Sequence, residues 1–343
     1  MKPITFKSAI LTAHNTPLDL FELEIPHTLY VGQVLVKIAY SGVCGAQLNE
    51  IKGVKGLDKY LPHCLRHEGS GIVTAVGPGV KHVHIGDHAV MHWRKGAGIE
   101  SEPPKYRNPQ TGKDIGGGWV TTFQEYAVVS ENRLTKVHDD VPMDVAALLG
   151  CAVTTGLGLI MNELRMKAGQ SLLVFGCGGV GLNVIQGARL CNVFPIIGVD
   201  IAENKLRQAA SLGADYVCTP GELSNFCRKN TLDATVDTTG KSEIMQLAWE
   251  YAGPEGRACY VAQLPHDQTV GLQTNAMHGG KTVFGSNGGG TNPTEDIPRY
   301  VRLLQAGRLK LRPLITHTFR LDEINTALDN IRSGSVGRAI IEM

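Results

Sequence analysis

At 343 residues, with 43% hydrophobic and 19% charged residues, the chain is too long for one ordinary core and too apolar to stay disordered. A formal net charge of +1 excludes broad electrostatic attraction to nucleic acid or to an anionic membrane. No apolar run is long enough to cross a bilayer, and the start, MKPITFKSAILTAHNTP, lacks the pattern of a signal peptide, so a cytoplasmic protein with neither nucleic-acid nor membrane partner is expected.

Residues 1 to about 150 are rich in Val, Gly, Pro and His. Alternating runs such as VGQVLVKIAY (residues 31–40) read as strands, and dipeptides such as Pro78-Gly79 mark the turns between them. No long amphipathic helix stands out, so this portion reads as mostly β. From about residue 153 short apolar strands alternate with helical stretches. SLLVF (171–175) leads into a glycine-rich turn and a helix over about 180–190. PIIGVD (195–200) is the next strand, and a helix over 203–212 stops at Gly213. DYVC, DATVD, RACYVA and KTVFGS follow as further apolar segments. Strands alternating with helices imply βαβ units and a parallel sheet. The alternation stops near Gly288, where residues 288–290 read as a crossover. The tail holds a helix over about 294–306 and ends in the strand AIIEM, which is expected to rejoin the first domain.

Gly176-Cys177-Gly178-Gly179-Val180-Gly181 is a G-x-G-x-x-G motif with a strand before it and a helix after it. Gly176 permits the tight turn, Gly178 lets the backbone approach a pyrophosphate, and Gly181 allows close helix–strand packing. The helix N-terminus, opening at Gly179 and Val180, offers amide groups and a favourable dipole to the phosphates. Asp200 falls about where a ribose-binding carboxylate belongs and would repel a 2′-phosphate, which favours NAD over NADP.

Eight cysteines, Cys44, Cys64, Cys151, Cys177, Cys191, Cys218, Cys227 and Cys259, are scattered with no C-x-x-C pair. Most read as small apolar core residues. Cys44, His67 and Cys151 can form a Cys2His metal site, but His63, Cys64, His88 and His92 rival them on spacing alone.

Several segments together resemble the zinc-containing medium-chain dehydrogenase/reductase family, the zinc-dependent alcohol dehydrogenases. They are YSGVCGAQLNEIKG, RHEGSGIVTAVGPGV followed by GDHAV, GCAVTTG, VFGCGGVGLN and RPLITHTFRLDEINTALD, which span nearly the whole chain in the family's order. The resemblance implies an α/β protein, a Rossmann doubly wound parallel sheet (153–287) inserted in a mostly-β GroES-like catalytic domain built from residues 1–152 and 288–343. It implies that Cys44, His67 and Cys151 hold a catalytic zinc with one open position; the Cys2His site of alcohol dehydrogenase is the standard example of that arrangement. Glu68 matches the carboxylate behind the metal, Thr155 a residue beside the nicotinamide, Lys205 a ribose contact, Arg338 a pyrophosphate contact and Trp93 a position in the pocket wall. The implied activity is hydride transfer between NAD and a small alcohol or carbonyl substrate, with polyols and sugar derivatives among the compatible ones. A homodimer or homotetramer is expected, joined through KTVFGS.

The sequence also departs from the family's pattern. Residues 90–118 contain no cysteine, so the second, structural zinc that many members bind there is expected to be absent, leaving one zinc per chain. That stretch reads as a polar loop whose Arg94, Lys95, Lys105, Arg107 and Lys113 are available to a polar or anionic substrate. After Cys44 come Gly45, Ala46 and Gln47, where many relatives have His, a hydroxyl residue and Asp. The proton path through a hydroxyl is therefore missing, and Gln47 replaces a carboxylate that commonly supports the zinc-bound histidine. Two other readings compete: a zinc-independent reductase of the same fold, which would not need the three ligands together, and a non-catalytic NAD-binding protein, which the Ala46 and Gln47 changes leave open.

Overall fold

The computed structural model describes residues 4–54, 56–65, 68–334 and 336–343. His67 therefore lies outside the described residues. The chain divides into two compact units: residues 1–151 with 292–307 and 311–343, and residues 152–291 with 308–310.

The first unit is built from short strands whose alternate residues face inward. β1 (Thr5–Leu11), β2 (Asp19–Glu24), β4 (His63–Cys64), β7 (Lys105–Arg107) and β8 (Asp114–Gly116) close into a small barrel in the order β1-β2-β7-β8-β4. A second sheet runs β10-β6-β5-β3-β18-β17, with β9 also on β3. Its members are β3 (Gln33–Gly42), β5 (Gly69–Val76), β6 (His88–Met91), β9 (Tyr126–Ser130), β10 (Leu134–Lys136), β17 (Ile315–Arg320) and β18 (Arg338–Glu342). β3 is the hub, its buried Val34, Val36 and Ile38 meeting Val73, Ala89, Ala127 and Val129 in one core cluster. β18 pairs antiparallel with β3, Ile341 opposite Ser41, which brings the C-terminal segment into this sheet. The helices here are short or C-terminal: α1 (Gly45–Ile51), α2 (Met143–Ala147), α8 (Pro293–Gln305) and α9 (Ile324–Arg332).

Residues 90–118 are more ordered than their polar composition suggests. β7 and β8 form a hairpin whose turn is fixed by Asn108, its side-chain oxygen accepting the N–H groups of Gln110 and Thr111. Such Asx turns supply locally the order that a polar segment cannot obtain by burial. Tyr106, between Lys105 and Arg107, is fully buried against Phe6, which anchors the hairpin.

The second unit is a six-stranded parallel sheet in the order β13-β12-β11-β14-β15-β16. The strands are β11 (Leu172–Phe175), β12 (Ile196–Val199), β13 (Tyr216–Cys218), β14 (Leu232–Asp237), β15 (Ala252–Tyr260) and β16 (Thr282–Gly285), interleaved with α4 (Gly179–Leu190), α5 (Glu203–Ser211), α6 (Ser242–Tyr251) and α7 (Asn275–His278). β11 and β12 are buried at every position, as expected for strands covered on both faces. The order turns at β11, where β12 lies on one side and β14 on the other. In open parallel sheets such a reversal creates the crevice in which ligands bind. α3 (Ala152–Gly158) opens this unit, and the glycine run 288–290 packs on it. A side chain at Gly289 would meet the Thr155 carbonyl at 2.4 Å, so only glycine permits that approach. No single helix among the described residues is long and apolar enough to cross a membrane.

Candidate functional site

Cys44 stands where β3 gives way to α1. Its backbone N–H donates to Gln47 Oε1 at 2.7 Å, and Gln47 is buried. The residue expected to stand behind a metal-bound histidine is thus engaged in fixing the cysteine's own backbone. Ala46 is exposed and has no hydroxyl.

Cys151 follows a short helical turn at Leu148–Gly150 and is buried. Two glycines near these cysteines lie against Glu68. A side chain at Gly42 would lie 2.4 Å from Glu68 Oε1, and one at Gly150 would lie 2.7 Å from Glu68 Cβ. Both cysteine-bearing turns therefore pack directly on Glu68, a contact that any larger residue would push apart. Glu68 is 0% exposed. Its backbone carbonyl accepts from Thr122 Oγ1 and Ser41 Oγ, so Glu68 itself is pinned to the sheet. The Arg338 guanidinium, itself buried, forms an ion pair with Glu68 and a side-chain hydrogen bond with Cys44. Burial pulls the pKa of that cation below its ordinary value, while Cys44 pushes it back up. A buried guanidinium next to a thiol favours the thiolate, the form that ligates metal. A metal ion fits the chemistry of this donor set, two thiols with a buried carboxylate between the turns that carry them.

Of the rivals, His92, Cys64 and His63 are otherwise engaged, whereas His88 Nδ1 is buried without a hydrogen-bond partner among the described residues. His92 is buried between the Arg94 carbonyl at Nδ1 and the Thr135 hydroxyl at Nε2, and burial lowers it to about 4, so the ring is neutral with both nitrogens used. Burial pushes the Cys64 thiol up to about 12, which opposes the thiolate. His63 faces Asp58 and the Cys64 carbonyl. His88 lies on β6 with Nδ1 buried.

Trp93 is half-buried and Arg94 lies over its ring, 5.8 Å from the centroid. The charges nearest to it are paired. Lys95 and Arg133 both bind Glu100, and Arg133 also donates to the Trp93 carbonyl. Glu131, 1% exposed, carries no local signal in the sequence. It accepts the N–H groups of Lys81, His82 and Ile99 at 2.5, 2.7 and 2.8 Å. A Glu in a polar run looks like a solvated charge, and only contacts 32 to 50 residues away reveal it as a clamp.

In the second unit the fingerprint residues gather at the C-terminal end of β11. Gly176 has φ +87°, the left-handed conformation that its turn requires. A side chain at Gly181 would fall 1.9 Å from the Gly176 carbonyl, so the turn and the first turn of α4 are in contact there. At Gly178 a side chain would meet nothing within 4 Å, leaving open space before the N-terminus of α4, where Gly179 and Val180 begin. That cradle fits a pyrophosphate. Asp200, at the end of β12, accepts the Cys177 N–H through Oδ2 at 2.8 Å and the Ala202 N–H through Oδ1 at 3.0 Å. Burial, and then the Asp200 charge, push the Cys177 thiol up to about 12, while Lys205 on α5 is near enough to oppose this. Cys177 is therefore a packing residue, and Asp200 and Lys205 flank the same loop. Thr155 is buried on α3.

Two family models match: an alcohol dehydrogenase GroES-like domain over residues 31–139 and a zinc-binding dehydrogenase domain over residues 179–306. The chain is 28% identical to an S-(hydroxymethyl)glutathione dehydrogenase of Paracoccus denitrificans, covering 98% of this chain and 99% of the relative. It is also 28% identical to an alcohol dehydrogenase class-3 of Cereibacter sphaeroides over the same shares of the two chains. Among solved structures it resembles benzyl alcohol dehydrogenase from Acinetobacter calcoaceticus, with a TM-score of 0.88 and 28% identity over 99% of each chain. An alcohol dehydrogenase zinc-binding domain protein from Burkholderia ambifaria matches with a TM-score of 0.91 and 26% identity over 100% of each.

Proposed function

The chain belongs to the zinc-dependent medium-chain alcohol dehydrogenase family, an oxidoreductase family that uses zinc and a nicotinamide cofactor, and from that premise we propose how this chain's own residues serve the reaction. Cys44, His67 and Cys151 hold one zinc per chain. The observation that supports this reading is the packing of Gly42 and Gly150, which stand close before Cys44 and Cys151 in the chain, on buried Glu68. When bound, zinc supplies a positive charge that acidifies an alcohol and polarises a carbonyl, and the nicotinamide supplies the hydride exchange.

The protein's own contribution is orientation and charge. Gln47 fixes the backbone of Cys44. Arg338 orients Glu68 and favours the thiolate of Cys44; its burial and pairing support this role over a pyrophosphate contact. Ala46 offers no hydroxyl, so the substrate proton leaves by water or by the substrate's own hydroxyl groups, a route that suits polyols and sugar derivatives. Trp93 belongs to the pocket wall. Gly176, Gly178, Gly179, Val180 and Gly181 cradle the pyrophosphate. Asp200, already oriented by two backbone N–H groups, receives the ribose hydroxyls, with Lys205 beside it, and selects NAD. Thr155 lies beside the nicotinamide.

β16 is the last strand of the parallel sheet, paired with β15 on one side only among the described residues. Its half-buried Val283 and Phe284 support a homodimer formed edge to edge there. No pair of the eight cysteines is disulfide-bonded, which supports a reducing compartment, the cytoplasm. The test is turnover by zinc-loaded protein of a panel of simple alcohols, polyols and their carbonyl counterparts, with NAD and with NADP. NAD-linked turnover of at least one alcohol is expected. No hydride exchange with any of them would overturn the reading.

A further inference from the structure

Apart from the thiolate site, one side-chain cluster among the described residues of the first unit has the chemistry of a metal site. Glu50 ends α1, Asp58 lies in the following loop and His63 begins β4; one ligand atom from each lies within 4.8 Å of the others. The groups are held from outside the cluster as well. The Tyr60 N–H donates to Asp58 Oδ1 at 2.9 Å, which turns Oδ2 toward His63. His63 Nδ1 lies 2.9 Å from the Cys64 carbonyl, an acceptor, so that nitrogen must carry a proton. His63 Nε2 then faces Asp58 Oδ2 at 2.9 Å. A proton shared between the two atoms or a cation bound to both accounts for that approach. A ligating histidine whose other nitrogen donates to a backbone carbonyl is the usual supported arrangement.

The donor types indicate which cation, and the spacing is compatible with it. Two ligands bonded at about 2.1 Å lie about 3.0 Å apart at the right angles of an octahedron and about 3.4 Å apart in a tetrahedron. The 2.9 Å between His63 Nε2 and Asp58 Oδ2 matches the first spacing and equally that of an ordinary ion pair. One imidazole with two carboxylates and no thiolate suits an octahedral first-row cation that keeps water in its other positions. Further donors stand close by. His14 is near enough to Asp58 to draw on its charge, and a side chain at Gly53 would lie 2.7 Å from His14 Nδ1.

We propose that Glu50, Asp58 and His63 form a second, exchangeable site for an octahedral divalent cation of the Mn2+ class, fastening the end of α1 to β4. It differs from the thiolate site in donor set and in preferred geometry. A cation there would brace both ends of the segment between Cys44 and His67.

The experiment uses whole protein with its zinc in place and Mn2+ as the probe. The thiolate-held zinc resists exchange because Mn2+ is the weakest competitor in the divalent series. Electron paramagnetic resonance of free Mn2+ is followed as protein is added, and amide resonances are followed for paramagnetic broadening. One saturable Mn2+ per chain is expected, with broadening centred on residues 50, 58 and 63. The dissociation constant should rise at least tenfold in Asp58→Asn combined with Glu50→Gln, and in His63→Gln. Wild-type broadening does not depend on whether the variants fold. Absence of saturable binding, broadening centred elsewhere, or unchanged affinity in folded variants would reduce the cluster to an Asp58–His63 ion pair and overturn the proposal.

Discussion

Residues 90–118 carry no cysteine, and Ile99 among them is held by a carboxylate whose removal should loosen the segment. Glu131 binds three backbone N–H groups from two separate segments, Lys81 with His82 and Ile99. Its side chain also packs on Gly98, whose φ of +110° leaves the space for it. In Glu131→Gln the amide oxygen can still accept from Lys81 and His82, but its NH2 group then faces the Ile99 N–H, donor against donor. Hydrogen bonds to a charged acceptor contribute about 1.5–3 kcal/mol, and an unsatisfied buried donor costs about 1–3 kcal/mol. Weakening two bonds and inverting the third should together cost about 2–4 kcal/mol. In a unit of this size that is a fall of roughly 5–15 °C in melting temperature. Thermal unfolding measures the total, and hydrogen exchange locates it: protection at Lys81, His82 and Ile99 should drop. Burial alone would raise the Glu131 carboxyl, but the N–H groups of Lys81, His82 and Ile99 hold it below the ordinary carboxylate range. A depressed acid stabilises the fold above its unfolded value, about 4.3, and the contribution is lost as pH falls through the lower folded value. The wild-type advantage over Glu131→Gln should therefore be constant near neutrality and shrink only below about pH 4. A variant as stable as wild type, with Ile99 still protected, would refute the clamp.

Three further outcomes follow from the site. Metal analysis should find one thiolate-held zinc per chain, and Cys151→Ser should lose it together with turnover; two such zincs would contradict the reading of residues 90–118. Asp200→Gly should relax the cofactor preference, raising kcat/KM with NADP relative to NAD by about tenfold or more, equivalent to about 1.4 kcal/mol; a wild-type preference for NADP would refute the role of Asp200. Light scattering at micromolar concentration should give at least a dimer, and a charge introduced at Phe284 should dissociate it; a wild-type monomer would exclude the β16 edge as a contact.

The parallel sheet was readable because its signals are local. Fully apolar strands, a glycine turn and an acid at the end of the next strand each occupy a few consecutive residues. The helices expected over 180–190 and 203–212 lie at Gly179–Leu190 and Glu203–Ser211. The first unit was read less well because its order comes from distant partners. Residues 90–118 have the composition of a loop, yet they contain a hairpin fixed by Asn108 and buried Tyr106, with Glu131 holding the preceding residues from across the sheet. The metal-ligand set shows the same limit. Spacing among eight cysteines and twelve histidines does not choose Cys44 over Cys64, and only the resemblance did. The structure adds a physical reason: Cys64 is sealed in the barrel core with its thiol protonated, whereas Cys44 meets a buried guanidinium. A sequence signal for this did exist, in Gly42 and Gly150. Each stands just before a candidate ligand: at Gly42 Glu68 occupies the space that a side chain would need, and at Gly150 the Met91 carbonyl and Glu68 together occupy it.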